Sequence, residues 1–379
     1  MTGVARVLVV GGGIGGLCAA VALRRHGIAV DLIERNTDWT VYGVGIIQPN
    51  NTLRALERIG LARACVEAGA GFPGWRICDA AGTVMFEAPA GTAAAPGYPP
   101  INGISRPKLH RILVDAAKAS GAAIRLGVTV EGMRDDGDTV DVTFNDGGGG
   151  RYDFVIGCDG LYSDTRRRLF GATVAPRFTG EGVWRYNLPR PADVEWGALY
   201  FGRDSKAGIV PMAPDLMYLF LVTHEPDNPT MAPETLATAM RERLAAYTGP
   251  VADFRDQITD PVGVVYRPME TVMLPTPWHR GRAIVIGDGA HATTPHLAQG
   301  AAMAIEDAVL LAELLARDGE LGAALDEFMR RRFDRARFVV DSSNQLAAWE
   351  MEEWAGTANP QARPGELLHE AGLALMEEY

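Results

Sequence analysis

The sequence of 379 residues predicts an α/β protein in which parallel strands end in glycine-rich turns. Three stretches support this prediction. An apolar run near the N-terminus leads into the glycines at 11–16, and two later apolar runs end in Gly and Asp at 157–160 and 287–289. Continuous runs of β-branched residues and Leu are typical of strands buried on both faces of a parallel sheet. Ligands bind such sheets at the carboxyl ends of the strands, so these turns are the candidate site.

The first 35 residues have the pattern of a strand, a turn, a helix and a second strand. Residues 7–10 form the first apolar run, and the composition of 17–25 is helical. Gly27 is suited to the position that follows a helix end, where a left-handed backbone is common. Residues 28–33 form the second strand. This order is that of one βαβ unit, and it places the glycines between the first strand and the helix.

The spacing Gly11-x-Gly13-x-x-Gly16 in this context predicts a turn that binds a dinucleotide. The first glycine allows the tight turn, the second lets a pyrophosphate approach the backbone, and the third lets the helix pack close to the strand. The N-terminus of the helix favours the anion through its free N–H groups and its dipole. Glu34 ends the second strand, where a carboxylate accepts hydrogen bonds from a ribose 2′-hydroxyl. A glycine-rich turn without a ligand is the alternative.

The rest of the chain predicts two interleaved domains and a C-terminal extension. A buried-type strand at 283–286 and a helix at 301–315 return to the α/β texture after a region of short strands rich in aromatic residues. The predicted segments are 1–70, 103–176 and 270–345 for the dinucleotide-binding domain, 71–102 and 177–269 for a sheet-rich substrate domain, and 346–379 for a helical extension.

The composition excludes several classes of partner. With 36 basic and 47 acidic residues the net charge is −11, whereas a nucleic acid or an anionic membrane needs a basic face. No uncharged apolar run reaches the roughly 18 residues of a transmembrane helix, and the N-terminus lacks the pattern of a signal peptide. The four cysteines form no CxxC pair, so we expect neither a metal site nor a disulfide framework. These features favour a cytoplasmic protein.

Taken together, the first turn, the segment 154–166 (FVIGCDGLYSDTR) and the segment 282–308 (RAIVIGDGAHATTPHLAQGAAMAIEDA) resemble the class A flavoprotein aromatic hydroxylases. That family includes para-hydroxybenzoate hydroxylase and salicylate hydroxylase, and the likeness extends over about residues 4–345. The run Ala298-Gln299-Gly300 is more similar to the salicylate hydroxylase branch, because the asparagine of the pattern Gly-Gln-Gly-x-Asn is missing. The resemblance implies a Rossmann-like FAD-binding domain of the glutathione-reductase type, with an inserted substrate domain.

The resemblance also implies which residues hold FAD. Asp288 is expected to bind the ribitol hydroxyls, and Pro295 to lie beside the isoalloxazine ring. A helix starting near Gly300 would stabilise negative charge on the reduced flavin. Arg35 could touch the adenosine or be a solvated charge, whereas Arg166 and His291 are expected to be structural. The full set of expected FAD-binding residues is Gly11, Gly13, Ile14, Gly15, Gly16, Glu34, Arg35, Arg106, Asp159, Gly160, Asp288, Pro295, Gln299, Gly300 and Ala301.

The activity that the resemblance implies is hydroxylation of an aromatic or heteroaromatic ring, such as a phenol, a hydroxybenzoate or a hydroxypyridine. The sequence contains one dinucleotide turn, so NADH or NADPH is expected to bind transiently, reduce the flavin and leave. The reduced flavin then reacts with O2 to give a C4a-hydroperoxide, which transfers its hydroxyl group. The protein has to exclude water from this site, and a side chain can deprotonate the substrate.

Candidates for the substrate site come from the sheet-rich region and from the segment 295–301, which the resemblance places beside the flavin and which we call the flavin segment. Arg185 could pair with a substrate carboxylate or phenolate, or form a structural ion pair. Tyr200 and Tyr218 could orient a substrate hydroxyl, or be half-buried strand aromatics. His296, which follows Pro295, could act as a base or be a loop histidine without a role. The stretch 205–211 lacks the histidine that salicylate hydroxylases tend to carry there, which leaves the identity of the base open.

Two other functions compete with the monooxygenase. One is an FAD-dependent reductase or dehydrogenase on the same fold, and the other is a flavin-binding module without turnover. The retained motif residues Asp159, Asp288 and Pro295 argue against the second. We expect a monomer or a homodimer. The arginines at 330–337 alternate with acidic residues, which predicts a solvated helix face with paired charges rather than a nucleic-acid site.

Overall fold

A computed structural model describes residues 2–41 and 43–379; Met1 and Tyr42, both in the predicted segment 1–70, lie outside the described residues. The strands are β1 (Arg6–Val10), β2 (Ala29–Glu34), β3 (Gly45–Pro49), β4 (Ala70–Phe72), β5 (Gly74–Asp79), β6 (Val84–Pro89), β7 (Ile101–Ser105), β8 (Ala123–Leu126), β9 (Val130–Asp135), β10 (Val140–Phe144), β11 (Gly149–Tyr152), β12 (Phe154–Gly157), β13 (Arg177–Pro189), β14 (Gly197–Phe201), β15 (Ser205–Pro211), β16 (Leu216–His224), β17 (Val265–Thr271), β18 (His279–Arg280) and β19 (Ala283–Val285).

The helices are α1 (Ile14–Arg25), α2 (Asn50–Arg58), α3 (Ala62–Ala68), α4 (Arg106–Ala119), α5 (Asp164–Phe170), α6 (Leu236–Arg243), α7 (Pro250–Asp256), α8 (Asp288–His291), α9 (Gly300–Leu315), α10 (Leu321–Trp354) and α11 (Pro364–Met376). Short 3₁₀ turns lie at Pro233–Thr235, Pro261–Gly263 and Pro295–Leu297. In the part of the chain that the structure covers, none of the helices is both long and apolar enough to cross a membrane.

The N-terminal motif belongs to a six-stranded sheet with the order β18-β19-β12-β1-β2-β8. All its pairings are parallel except that of β18 with β19. Val7, Leu8 and Val9 are fully buried, as expected for a central strand covered on both faces. Helix α1 ends at Arg25, and Gly27 follows with the left-handed φ of +80° that the sequence predicts. The predicted α/β fold is confirmed.

The second large sheet has the order β17-β13-β16-β15-β14-β5-β6, and its pairings are antiparallel except for β14 with β5. Its outer face packs on α6 and α7 and forms a separate core. Cross-strand partners share a face, so the row Tyr200–Ala207–Leu221–Trp184–Tyr266 lies on that outer face. The other face, which we call the inner face, carries the residues between them, and Lys206, Val183 and Arg185 belong to it.

Two small sheets complete the architecture, β3-β7-β4 and β11-β10-β9. The glycine run at 147–150 lies in the hairpin of β10 and β11: Gly147, at a φ of +80°, is in the turn, and Gly149 and Gly150 begin β11. The predicted division into domains stays a prediction. Three strands cross its boundaries, namely β4 at 70/71, β7 at 102/103 and β17 at 269/270, and α10 crosses 345/346.

The arginines of α10 differ from the prediction of a solvated face. Arg330 and Arg337 do form surface pairs one helical turn away, with Glu327 and Asp334. Arg332, however, is fully buried: its Nη1 lies 2.5 Å from Glu306 Oε2 and its Nε 2.7 Å from Asp307 Oδ1. The surface interpretation is therefore wrong for Arg332 and for Arg335, whose Nε lies 2.8 Å from Glu306 Oε2, because α10 turns both side chains onto α9, which places two carboxylates in the core.

Replacing Arg332 tests this buried network. Arg332→Met should lower the free energy of unfolding by about 3–5 kcal/mol, because it removes the cation shared by Glu306 and Asp307 and leaves one negative charge uncompensated in the core. Arg330→Met, on the exposed side of the same helix turn, should cost below about 1 kcal/mol. The measurement is denaturant or thermal unfolding of both variants. Equal losses for the two variants would contradict the structural assignment.

Candidate functional site

The glycine turn between β1 and α1 lies at the carboxyl edge of the parallel sheet, beside the ends of β12 and β19. We call the space bordered by these three strand ends the crevice. A Cβ at Gly16 would lie 1.9 Å from the carbonyl oxygen of Gly11, and one at Gly11, whose φ is +107°, would lie 2.4 Å from the carbonyl oxygen of Cys158. Only glycine fits these two positions. A Cβ at Gly13 would meet nothing within 4 Å, so this residue faces open space. Gly13 precedes Ile14, the first residue of α1.

The N-terminus of α1 is free to receive an anion. It has no side-chain cap and no acidic residue in its first turn, which includes Ile14, Gly15 and Gly16. Glu34, at the end of β2, accepts hydrogen bonds from the backbone N–H of Gly12 at 2.8 Å and of Asn36 at 2.9 Å. Its carboxylate is thereby held at the rim of the turn. The structure places Arg35 at the exposed surface next to it.

In the second motif, after β12, the polar side chains are hydrogen-bonded mainly to one another and to the nearby backbone. The carboxylate of Asp159 accepts from Ser163 Oγ at 2.5 Å, and from both the backbone N–H and the Oγ1 of Thr165 at 2.9 Å. It thus braces the start of α5, while Gly160 turns the chain with a φ of +77°. Arg166 is buried and donates to the carbonyl oxygen of Gly289 at 2.7 Å, which agrees with the expected structural role.

The third motif closes the crevice from the side of β19. Asp288 is exposed to solvent although many protein atoms lie around it, as expected for a carboxylate in the wall of a crevice. Burial raises the pKa of Asp288, while His291 and Arg106 act in the opposite direction. His291 itself lies 2.6 Å from Asp307 and has the expected structural role. A Cβ at Gly287 would lie 3.0 Å from Ala304 Cβ, and one at Gly15 would lie 3.4 Å from the same atom, so the first and third motifs meet.

The segment after Asp288 ends in a second open helix N-terminus. Pro295 starts a 3₁₀ turn, Ala298 has a left-handed φ of +54°, and α9 then begins at Gly300. Gln299 does not cap α9, because its side chain is hydrogen-bonded to Asn51 at 2.8 Å. Like α1, the helix α9 has no acidic residue in its first turn, which includes Ala301. Its dipole therefore favours negative charge at this end of the crevice.

The inner face of the seven-stranded sheet brings Arg185 and Tyr218 together with Arg106, the first residue of α4. Arg185 forms neither an ion pair nor a hydrogen bond within the described part of the chain. Burial, with Arg106 as the next cause, lowers the pKa of Arg185 to about 10, so the guanidinium is still charged at neutral pH. Arg267, on β17, adds a third positive charge nearby.

The structure does not bring Tyr200 to this site. Tyr200 lies on the outer face of the sheet, in the core beside α6 and α7, because its register places it opposite Ala207. His296 does lie near the inner face, but both ring nitrogens are engaged within the protein. Nδ1 is 2.9 Å from Thr294 Oγ1, and Nε2 is 3.3 Å from Glu350 Oε2. His296 therefore has no free ring nitrogen with which to act as a base in direct contact with substrate.

Several residues of the site carry no motif. Trp39 donates from Nε1 to the carbonyl oxygen of Gly12 at 3.0 Å and packs edge-on against His110. Asn51 joins Gln299 to Glu306. A signal for such residues is weak in a single sequence, because each stands alone in its segment. An inward-facing charge on an apolar strand, such as Lys206 in the run SKAGIVP, is the kind of pattern that could reveal them.

The crevice therefore fits FAD on the observations above. Two uncapped helix N-termini, open space at Gly13 and an accessible carboxylate at Asp288 are what a pyrophosphate, a flavin edge and a ribitol chain need. The comparisons with known proteins agree. The model of the FAD binding domain family matches residues 4–343, so the chain belongs to this family.

Two curated relatives and one solved structure illustrate the match. The chain is 31% identical over 350 residues to the aurachin C monooxygenase/isomerase of Stigmatella aurantiaca, which covers 91% of this chain and 90% of the relative. It is 31% identical over 367 residues to the 6-hydroxynicotinate 3-monooxygenase of Pseudomonas fluorescens, covering 92% and 94%. The structure of Klebsiella pneumoniae HpxO with FAD and uric acid superposes with a TM-score of 0.84 at 24% identity, covering 99% and 98%.

Two glycine variants separate the fold from cofactor binding. Gly16→Ala should abolish FAD binding and destabilise the protein, because its Cβ cannot fit beside Gly11. Gly13→Ala has room in the fold, so thermal stability of the FAD-free protein should stay near that of the wild type. Its Cβ enters the space for the pyrophosphate, and we expect FAD to bind at least about tenfold more weakly.

The measurements are flavin content, FAD titration and melting of the FAD-free protein. If Gly13→Ala bound FAD like the wild type, the pyrophosphate would lie elsewhere.

Proposed function

We propose that this chain is an NAD(P)H-dependent FAD monooxygenase that hydroxylates an aromatic or heteroaromatic ring bearing an acidic group. The observation that carries the proposal is Arg185, a charged guanidinium on the inner face without a partner in the described chain. Arg185 is half-buried, and a charge with reduced access to water is stabilised by a counter-charge, so the missing partner is best supplied by a ligand. A carboxylate or a phenolate matches the planar fork of an arginine.

The cofactor supplies the oxygen chemistry when it is bound, and the protein supplies binding, orientation and electrostatics. Gly11 to Gly16, Asp288 and the N-terminus of α9 would hold FAD. The inner face adds apolar side chains around Arg185, and Val183 and Val222 are nearly fully buried there. Such a lining limits the entry of water, which protects reactive species in the site.

Tyr218 and Arg185 would orient the substrate together. Burial raises the pKa of Tyr218, so its hydroxyl stays protonated and can donate a hydrogen bond to a substrate oxygen. Arg185 and Arg106 favour the ionised form of a substrate phenol placed against them, because a nearby positive charge stabilises an anion. Ionisation enriches the ring in electrons and so prepares it for an electrophilic hydroxyl group. The named activity of the 6-hydroxynicotinate relative supports a substrate of this chemistry.

The remaining partners follow from this activity. NADH or NADPH and O2 would be co-substrates, and the nicotinamide nucleotide would leave after reducing the flavin. We infer a cytoplasmic monomer or homodimer, and the free thiols of Cys18, Cys65, Cys78 and Cys158 suit a reducing compartment.

The function is tested by following NADH or NADPH, O2 and product in one assay. Phenols, hydroxybenzoates, nitrophenols and hydroxypyridines should be screened, with uncharged ring analogues as controls. We expect an acidic aromatic to stimulate NAD(P)H oxidation and to yield one hydroxylated product per O2. NAD(P)H oxidation that proceeds equally well without O2, with no oxygenated product, would instead indicate a reductase.

The role of Arg185 is tested by Arg185→Gln. Loss of a charge-assisted hydrogen bond costs about 1.5–3 kcal/mol, so kcat/KM for an acidic substrate should fall about 10–100-fold, mainly through KM. Tyr200→Phe, on the outer face of the same sheet, is the matched control and should leave KM unchanged. An unchanged KM in Arg185→Gln would remove this residue from the substrate site.

A further inference from the structure

Four ionisable side chains meet where the inner face, the turn Pro295–Leu297 and helix α10 come together. We call them the junction cluster: Glu181 on β13, Lys206 on β15, His296 in the turn and Glu350 on α10. The side chain of Glu181 is 0% exposed and that of His296 is 2% exposed, whereas Lys206 and Glu350 keep 11% and 18%. The site described above uses none of these contacts.

The bonds within the junction cluster are unequal. Lys206 is paired directly with Glu350 Oε1. His296 Nε2 lies 3.3 Å from Glu350 Oε2 and 3.8 Å from Glu181 Oε1. Glu181 is the exception, because neither of its oxygens has a hydrogen-bond partner among the described residues. A buried carboxylate ion without donors is strongly disfavoured, so Glu181 needs a proton or a cation.

Charge balance in the junction cluster favours the proton. Although burial opposes it, Lys206 lowers the pKa of Glu350 to about 2, so these two form an ion pair of zero net charge. Burial, followed by the negative charge of Glu350, raises the pKa of Glu181 to about 8. Burial also lowers the pKa of His296. A neutral Glu181 therefore leaves the cluster uncharged, whereas a divalent cation between Glu181, His296 and Glu350 would add two charges beside the Lys206 ammonium.

We propose that Glu181 is held as a neutral carboxylic acid packed beside His296 and the Lys206–Glu350 pair, and that the absence of charge on Glu181 keeps the turn Pro295–Leu297 against the seven-stranded sheet. Glu181 and His296 are thus positioning residues for the flavin segment. Only the expected effect on the yield of hydroxylated product rests on the proposed monooxygenase function; the positioning role itself does not. His296 is held from its other side by Thr294, so its ring transmits the position of Glu181 to this turn.

Ionisation of Glu181 is the event that would release the turn. Two carboxylates would then share one ammonium, and the excess charge is relieved by water entry or by a shift of α10 or the turn. The charged and titratable groups that face Glu181 are His296, Lys206 and Glu350, with the exposed His224 as its register partner on β16. Water beside the flavin segment diverts turnover from hydroxylation to peroxide.

The direction of the pH effect follows from the raised pKa of Glu181. Its contribution to stability is fully present below its ordinary pKa of 4.5 and is lost as the pH rises through about 8. The coupled fraction, meaning product formed per NAD(P)H oxidised, should fall with a midpoint near pH 8.

Glu181→Gln tests the proposal because glutamine keeps the shape of the neutral acid and cannot ionise. In the FAD-loaded variant the coupled fraction and the thermal midpoint should lack the fall between about pH 7 and about pH 9 that the wild type shows. Glu225→Gln is the matched control. Glu225 is buried at the end of the same sheet, but it is paired with Arg243 at 2.6 Å, so its replacement should lower stability and keep the pH midpoint.

A measurement on the wild type keeps the test decisive if the variant fails to fold. Infrared spectra of protein labelled with ¹³C-glutamate should show a protonated carboxyl band that disappears with a midpoint near pH 8. Absence of this band, the same alkaline fall in Glu181→Gln, or one equivalent of tightly bound zinc or manganese in the purified holoenzyme would each overturn the proposal. The infrared and melting results need no substrate, so they remain valid if the monooxygenase activity is not found.

Discussion

The site depends on one close approach of two backbone segments. The start of α1 passes so near to Gly11 that a Cβ at position 16 would lie 1.9 Å from a carbonyl oxygen. This approach sets the first turn of α1 against the end of β1 and leaves open space at Gly13 for a ligand. A similar close approach occurs at Gly287 and Gly15, which both face Ala304. Three turns far apart in sequence therefore enclose one crevice, because each leaves out a side chain where the others need room.

The two faces of the seven-stranded sheet differ, and only the inner face lies near the site. Its outer face is an ordinary apolar core, and its inner face carries arginines, a lysine and a buried glutamate. Among the charged residues of the inner face, Lys206 is paired with Glu350 of α10, whereas Arg185 has no partner among the described residues. The long helix α10 thus contributes to the site as well as to the fold, since Arg332, about five turns before Glu350, anchors the same helix to α9. A change in the position of α10 would therefore act on α9 and on the turn Pro295–Leu297 together.

The sequence predicts the glycine-rich turns at the strand ends, but it does not predict which side chains of the seven-stranded sheet face the site, for a physical reason. The requirements at Gly11, Gly16 and Asp288 are local, so they appear as contiguous motifs at strand ends. The face on which a strand residue lies depends on register with distant strands, which explains why the sequence predicts Tyr200 in the site whereas the structure has it in the outer core. The partners in the junction cluster come from four separate segments, and no spacing joins Glu181 to Glu350. The buried Arg332 was hidden because its acidic neighbours in sequence resemble a surface pattern, while its true partners lie on α9.

The net charge of −11 and the positive charges on the inner face act on different kinds of anion. The FAD pyrophosphate can be held by backbone N–H groups at the N-terminus of α1, which leaves side-chain cations free for another anion. Arg106 stands between the two binding regions, since its charge acts on Asp288 on one side and on Arg185 and Tyr218 on the other. An acidic surface with one basic interior concentrates small anions at that interior and repels polyanions such as nucleic acids. A substrate anion at Arg185 would in turn reduce the repulsion between Arg185 and Arg106, so that binding of substrate and order at the flavin edge would support each other.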